Sequence, residues 1–497
     1  MTSKPDLTTT AGRIEDLRGR LAEAQAPAGQ EEIDAVHARG EATARERIEQ
    51  LLDAGTFVET DALARHRVEA YKMYRTKPAT DGVVTGYGLV GGRRVCVFSQ
   101  DGSLFDGAVG EVYAEKVLKI YDLATKTGVP VVGIYDSAGP RWQEGIVTAH
   151  MQAQILRAAT RASGLVPQIA VVAGQTAALA ATTVPLADVT VMVDGAVLRL
   201  TDPTPGVDVQ RAAAGAEVHT TSTGVAQLRA ATDADALAQA RTLLGFLPLN
   251  NQAAPPLGAE AQGSATDLDT FMPDDDAQHY NVTEILAAVT DGDFTELSAA
   301  YADNVVTGFA HIGGRAVGIV ANQPASIAGA LTRDGARKAA RFIRTCDAFN
   351  LPVVQFVDCP GFHPTEEEER GGVVAAAASL AYAFAEAQVG TVTVITRKAF
   401  GTAYALLGSK GLGADLVFAW PTAQIALADA PTAAEALGVD AAEYEAENLN
   451  PYVATERGLV DAVIEPAHTR AQVLEGLRLL ERKVVYPPQK KHGNQPL

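Results

Sequence analysis

VVTGYGLVGGR at residues 83–93 and VVTGFAHIGGR at residues 305–315 are one stretch written twice, 222 residues apart. The same offset holds beyond both copies. Lys116 falls on Lys338, Pro130-Val131-Val132 on Pro352-Val353-Val354, Asp136 on Asp358 and Gly139 on Gly361. Further along it slips by one, so that AVVAGQTAALA (170–180) lies over TVITRKAFGTA (393–403). Self-similarity at a fixed spacing is the mark of a repeated structural unit. The chain is therefore expected to fold as two copies of one domain, with its function where the two halves meet.

Each copy reads as α/β. In the first, VVTGYGLV, RRVCVFSQD, VPVVGIYDS, QIAVVAG and DVTVMVD are strand-like, and GEVYAEKVLKIYDLATKTG and TAHMQAQILRAATRAS are helical. A short strand, TFVETD, precedes them. In the second, GRAVGIVANQP, LPVVQFVDCPG, TVTVITRKAFG and DLVFAWP are the strands, and the chain from about residue 430 is helical before a polar tail. Alternation of this kind predicts a largely parallel sheet covered by helices, with active groups in the loops beyond the strands' carboxyl ends. Those loops are 137–145 and 174–180 in the first half, and 360–372 and 398–408 in the second.

Three helical segments, at 12–25, EEIDAVHARG and TARERIEQLLDAG, have no counterpart in the second half; Thr43 is the expected N-cap of the third and Gly55 its C-cap. Residues 249–278 lose periodicity and collect Pro, Gly, Asn and Asp, as inter-domain linkers do. The expected division is a helical appendage at 1–40, a first domain at 41–250, a linker at 251–278 and a second domain at 279–497.

Composition narrows the partners. The chain has 497 residues, 47% of them apolar, with a net charge of −19, which argues against a nucleic-acid partner because phosphate binding needs a basic face. No apolar run is long enough to predict a membrane span, and the N-terminal stretch lacks the apolar core of a signal peptide. Cys96, Cys346 and Cys359 are too few and too scattered for a disulfide framework or a zinc cluster, so no metal is implied and a reducing cytoplasm fits.

No HExxH, Walker loop, GxSxG or CxxC pair occurs. What remains is the backbone. A small-residue turn that opens a helix can present N–H groups to a developing oxyanion, each worth about 3–4 kcal/mol. Both halves have such a turn in register, Ala177-Ala178-Leu179-Ala180 and Phe400-Gly401-Thr402-Ala403. On pattern alone, tight helix–sheet packing by small residues is the preferred reading.

Several stretches together carry a family resemblance. They are TARERIEQLLDAGTFVETD, DGVVTGYGLVGGRRVCVFSQDGSLFDG, RFIRTCDAFNLPVVQFVDCPGFH, AYAFAEA, TVTVITRKAFGTAY and FAWPTAQIA. From about residue 40 to its end the chain resembles the carboxyltransferase (β) subunit of biotin-dependent acyl-CoA carboxylases, the propionyl-CoA type in particular. The resemblance implies tandem crotonase-like domains with mixed, largely parallel sheets. It also implies a hexamer in which the first half of one subunit faces the second half of its partner. Acyl-CoA would bind mainly to the first half. Biotin, carried on a separate protein together with a biotin carboxylase, would approach the second. By that resemblance the thioester oxygen takes N–H bonds from Ala138, Gly139, Ala178 and Leu179, and the biotin ureido oxygen from Gly401, Thr402 and Ala403. Biotin freed by loss of CO2 takes the α-proton, and the enolate attacks the CO2; no side-chain base is required.

The departures from the family fall on those loops. Asp-Ser-Gly-Gly-Ala-Arg is here Asp136-Ser137-Ala138-Gly139-Pro140-Arg141, and Ala178-Leu179 replace a Gly-Gly pair. The family's Gly-Gly-x-x-Arg-His-Gly-Ala-Lys is here Gly371 to Ser379, with Ala375 and Ala376 in place of Arg and His; Gly371, Gly372, Ala375 and Ala376 would line the biotin side. Only Thr402 departs in the second-half turn. Three functions are compatible with such a sequence. The first is carboxyl transfer from carboxybiotin to the α-carbon of a short or medium acyl-CoA. The second is biotin-independent acyl-CoA chemistry, as a decarboxylase, acyltransferase or hydrolase. The third is a non-catalytic subunit that assembles with an active paralogue.

Overall fold

The computed structural model describes residues 5–201 and 211–496. The first four residues of the expected appendage, a short stretch of the expected first domain (202–210) and the last residue of the expected second domain lie outside them. The chain forms two compact units: Met1–Gly245 with Leu249–Asn251, and Phe246–Pro248 with Gln252–Leu497.

In the first unit the leader supplies α1 (Thr10–Gln25), α2 (Gln30–Ala38) and α3 (Ala44–Leu51). Thr43 caps α3 in a reciprocal capping box with Glu46, but the helix stops at Leu51 and Gly55 is not its cap. Leu52 is already extended, and Asp53 beyond it faces the turn at Gly91-Gly92. Its carboxylate accepts the N–H groups of Gly91 and Gly92 at 3.1 and 2.8 Å and pairs with Arg241.

The sheet runs β1 (Val58–Thr60), β2 (Val83–Val90), β3 (Arg93–Gln100), β4 (Val131–Ser137), β5 (Gln168–Ala177), β6 (Val189–Val193), with β7 (Val197–Arg199) beside the end of β5 and β8 (Leu228–Ala230) at the far edge. β1, β2 and β3 are antiparallel; from β3 onward every pairing is parallel. The β2–β3 turn is Gly91-Gly92, both at positive φ (+56° and +75°). A two-residue hairpin turn of this twist demands φ > 0 at both positions, which explains the paired glycines. Helix α4 (Glu111–Thr127) packs against β2–β4 and α5 (Ile146–Ala162) packs on α4, and a single turn, α6 (Ala178–Ala181), follows β5 directly; α7 (Arg211–Ala214), α8 (Ala216–Thr221) and α9 (Asp233–Phe246) complete the set. Val131, Val132 and Ile134 of β4 and Ile169 to Val172 of β5 are buried throughout, the continuous apolar run that a strand covered on both faces requires.

The second unit repeats this plan. Its sheet holds β9 (Thr295–Leu297), β10 (Val305–Ile312), β11 (Arg315–Asn322), β12 (Val353–Cys359), β13 (Thr391–Phe400), β14 (Leu416–Ala419), β15 (Gln424–Ala426) and β16 (Ala462–Val463), in the same order and with the same antiparallel start. Its helices are α10 (Val282–Val289), α11 (Arg333–Ala348), α12 (Glu366–Gly371), α13 (Val373–Glu386), α14 (Gly401–Leu406), α15 (Ala430–Leu437), α16 (Ala441–Asn448), α17 (Tyr452–Glu456) and α18 (Thr469–Leu480). Asp291 holds Gly313 and Gly314 as Asp53 holds Gly91 and Gly92, with Arg470 in the role of Arg241. The core is built on Val306, Ile319, Phe356, Val394 and Trp420. Residues 252–278 carry neither helix nor strand but are tied into this unit, Gly258 N–H to Gly314 O and Ser264 N–H to Ala287 O.

The first strand that leads to a small-residue turn is longer than the sequence pattern predicts, and the second ends within one residue of its expected end. QIAVVAG continues as β5 to Ala177, and TVTVITRKAFG gives β13 to Phe400. β7 and β15 pair with the ends of these strands, at Gln175–Ala177 and Lys398–Phe400. The expected loops at 174–180 and 398–408 are therefore direct strand-to-helix turns.

Candidate functional site

Each half builds its turn from a slip in register. β4 and β5 pair evenly from Val131 opposite Gln168 to Tyr135 opposite Val172, then slip so that Ser137 faces Thr176. β12 and β13 do the same, from Val353 opposite Thr391 to Val357 opposite Ile395, then Cys359 opposite Ala399. A bulge at a strand end re-aims the residues beyond it. Two residues past these pairs lie Gly139 beside Ala178 in the first half, and Gly361 and Gly401 in the second. The contact at the first site is direct: a Cβ on Gly139 would stand 3.3 Å from the Ala178 Cβ.

Ala178 and Gly401 open their helices in the left-handed conformation, at φ +56° and +53°. That conformation is free for glycine and costs an L-residue about 1–2 kcal/mol. Ala178 therefore keeps the backbone path of its glycine counterpart under strain. At Gly401 no side chain fits, because a Cβ would lie 2.7 Å from Leu427 O. The first N–H groups of a helix have no acceptor within it, so both turns present main-chain donors. Leu179 is 40% exposed and its side chain stands outside the core. Thr402 is exposed, and Ala403 is buried.

The predicted residues are not equally placed. Ala138 is a correction: its N–H donates to Asp106 O at 2.8 Å and is committed to the fold. The N–H of Gly139 (φ +111°) donates to Ser137 Oγ at 3.3 Å. In the second half, Gly372 is at φ +90° and joins α12 to α13. A Cβ on Gly371 would lie 2.5 Å from an Arg333 guanidinium nitrogen. Ala376 is 1% exposed, within the packing of α13, and is corrected as a lining residue; Ala375 is half-buried.

Charged groups that pattern reading passed over hold these turns. Asp136, just before the first turn, pairs with Arg47 of α3 at 3.0 Å, and Arg47 also pairs with Asp233 at 2.8 Å. Asp358 pairs with Arg397 of β13 at 3.0 Å. Burial holds both aspartates above the usual carboxylate range, against the pull of their arginines. The equal spacing of Asp136 and Asp358 was the visible signal; their arginines come from unrelated positions. Burial also pushes the thiols of Cys96 and Cys359 up to about 11 and about 12, so neither is a thiolate nucleophile near neutrality. Lys116 and Lys338 are brought down to about 8 by burial, and both donate to main-chain carbonyls before β2 and β10. The chemistry on offer is main-chain hydrogen bonding to an oxyanion, once in each half.

Known proteins agree with this architecture. The carboxyl transferase domain family matches residues 35–495. The chain is 46% identical to a propionyl-CoA carboxylase beta chain of Saccharopolyspora erythraea, over 99% of this chain and 97% of that protein. It is 45% identical to a biotin-dependent acetyl-/propionyl-coenzyme A carboxylase beta5 subunit of Mycobacterium tuberculosis, over 99% and 96%. A methylmalonyl-CoA decarboxylase subunit alpha of Veillonella parvula is 40% identical, over 99% and 100%. Among solved structures, the transcarboxylase 12S hexamer core with methylmalonyl-coenzyme A and methylmalonic acid superposes with a TM-score of 0.96 at 38% identity, covering 100% of both chains. A duplicated α/β fold, a main-chain donor turn in each half and similarity along the whole length lead to one conclusion: the chain belongs to the carboxyl transferase domain family.

Proposed function

We propose that this chain is the carboxyltransferase subunit of an acyl-CoA carboxylase, moving CO2 from carboxybiotin to the α-carbon of a short or medium acyl-CoA. The observation that carries the reading is the duplicated turn: a left-handed residue opens a helix directly after the strand in both halves. In this reading the N–H groups of Gly139, Ala178 and Leu179 hold the thioester oxygen, and stabilise it most when the α-carbon loses its proton and negative charge moves onto that oxygen. The N–H groups of Gly401, Thr402 and Ala403 hold the biotin ureido oxygen, with Gly371, Gly372 and Ala375 near that side. Neutral main-chain donors in a small-residue turn suit a ureido carbonyl, and biotin itself supplies the CO2 and takes up the α-proton. Biotin comes on a carrier subunit, with a biotin carboxylase to charge it. The relatives' names support both substrates.

The same reading includes a homohexamer in the cytoplasm. The hexameric transcarboxylase core supports the assembly. Among the described residues no helix is long and apolar enough to cross a membrane, and the three cysteines are free and buried, as a reducing compartment favours. The domain division belongs to it too, with 41–250 and 279–497 as the two carboxyltransferase domains.

The test is the transfer run in reverse. Methylmalonyl-CoA and biocytin, a soluble biotin, are incubated with the chain, and propionyl-CoA is followed by chromatography. Formation that requires biocytin is expected. Release of CO2 at the same rate without it would move the chain to biotin-independent decarboxylation. Neither product would leave a subunit that assembles with an active paralogue.

A further inference from the structure

We propose that Arg141 is a positioning residue of the first-half site, holding Gly139 where its N–H can meet the thioester oxygen; this rests on the function proposed above. The Arg141 side chain is 1% exposed and ties three segments together. One guanidinium nitrogen donates to Asp81 Oδ1 at 2.7 Å and to Glu144 Oε1 at 3.1 Å. The other donates to the main-chain oxygens of Asp81 and Ala108 at 3.2 and 3.1 Å. The cation lies over the Phe105 ring, 4.7 Å from its centroid. Both carboxylates are buried, Asp81 at 0% and the Glu144 side chain at 4%, and both also cap α4: Glu144 accepts the Glu111 N–H at 2.6 Å and Asp81 the Tyr113 N–H at 2.9 Å. The loop carrying Gly139 is thereby fastened to the start of α4. Between them runs a short parallel bridge, Val109 N–H to Gly139 O at 2.8 Å and Arg141 N–H to Val109 O at 3.0 Å.

The second half shows that the fold does not need this arrangement. It makes the same bridge, Leu331 N–H to Gly361 O at 2.9 Å and His363 N–H to Leu331 O at 2.7 Å. There His363 stands in the place of Arg141, and Asp303, in the place of Asp81, accepts instead from Ser326 Oγ at 2.8 Å. The helix cap is also kept, with Glu368 accepting the Arg333 N–H. So the bridge and the cap are common to both halves, whereas the buried cation between two carboxylates is confined to the half assigned to the thioester. Buried ion pairs are poor sources of stability, and the role assigned to this one is to hold the loop's geometry. A carbonyl-sized target needs its donor held to within about 0.5 Å.

The test uses the full chain as Arg141→Met, as Arg141→Lys, and as the neutral triple variant Asp81→Asn/Arg141→Met/Glu144→Gln, which leaves no uncompensated charge if the single Met variant fails to fold. Amide exchange is followed in 137–145 and, as control, in 359–365. Kinetics use methylmalonyl-CoA with biocytin, and CoA itself is titrated calorimetrically. The expected result is exchange about tenfold faster in 137–145 alone. It is accompanied by a kcat lowered roughly tenfold to a hundredfold, short of the 10²–10³ for losing a donor outright. KM and CoA affinity stay within about twofold, and Lys recovers most of kcat. Unchanged exchange in the Met and triple variants would overturn the proposal, as would a loss confined to KM or a Lys variant no better than Met. If the unmodified chain forms no propionyl-CoA, the functional reading fails, and exchange still decides whether Arg141 holds the loop.

Discussion

Ala178 and Gly401 occupy one position of the duplicated fold and differ by a methyl group. At φ +56° Ala178 carries a conformational penalty that glycine lacks. Ala178→Gly is therefore expected to stabilise the chain by up to about 1 kcal/mol, the left-handed relief less the extra chain entropy of glycine, read as a small rise in melting temperature with turnover kept. The reverse change, Gly401→Ala, drives a Cβ against Leu427 O. It should destabilise by about 2 kcal/mol or more and raise KM for biocytin at least tenfold while that for methylmalonyl-CoA holds. If Leu179 narrows the acyl site, Ala178→Gly/Leu179→Gly should lower KM for acyl-CoA or raise turnover; no change in either would place the acyl group elsewhere.

At the scale of elements, the two hairpins and their carboxylate anchors set where β2–β3 and β10–β11 end. Asp53 sits below the usual carboxylate range, chiefly through the Gly92 N–H and the Arg241 guanidinium. Asp291 is also lowered: burial raises it, but the N–H groups of Gly313 and Gly314 and the Arg470 cation outweigh that. A depressed carboxyl stabilises the fold fully above its unfolded value, about 3.9, and that contribution is lost as pH falls through the lower folded value. Asp53→Asn is thus expected to lower stability by about 1 kcal/mol at pH 7, with the gap to the unmodified chain narrowing below pH ~4 in thermal melts. A gap independent of pH would mean the carboxylate charge plays no part. The pair Arg397–Asp358 is a harder test of the β12–β13 turn. Arg397→Met strands a buried carboxylate and should cost about 3–5 kcal/mol, measured by denaturant unfolding.

The whole molecule exposes large apolar side chains next to its candidate turns. Trp142 and Ile146, just after Gly139, are 69% and 83% exposed, and Leu427, beside Gly401, is 87% exposed. Exposed apolar side chains grouped in this way are candidates for cover by another chain or a ligand. The expected particle in solution has six times the chain mass of 51.9 kDa by light scattering. Trp142→Glu/Ile146→Glu should shift it to smaller species and lower turnover together. A hexamer that persists with both charges in place would assign these side chains to ligand contact rather than assembly.

The duplication, the α/β alternation and the family were legible in the sequence because each is written in local order. A buried strand needs its apolar run, and a repeat shows in its own spacing. The positions of the small-residue turns were legible too, by the register of the repeat. Pattern could not choose between tight packing and a donor site. That choice depends on φ at Ala178 and Gly401, and on the register slip that sets Gly139 against Ala178. Nor could it show that the Ala138 N–H is taken by Asp106 O, or that Arg141 joins Asp81 and Glu144, partners 60 and 3 residues away. The sequence by itself determined which backbone paths recur. Only the tertiary structure decided which donors are already taken, because a hydrogen bond is spent or spare according to what folding brings within about 3 Å of it.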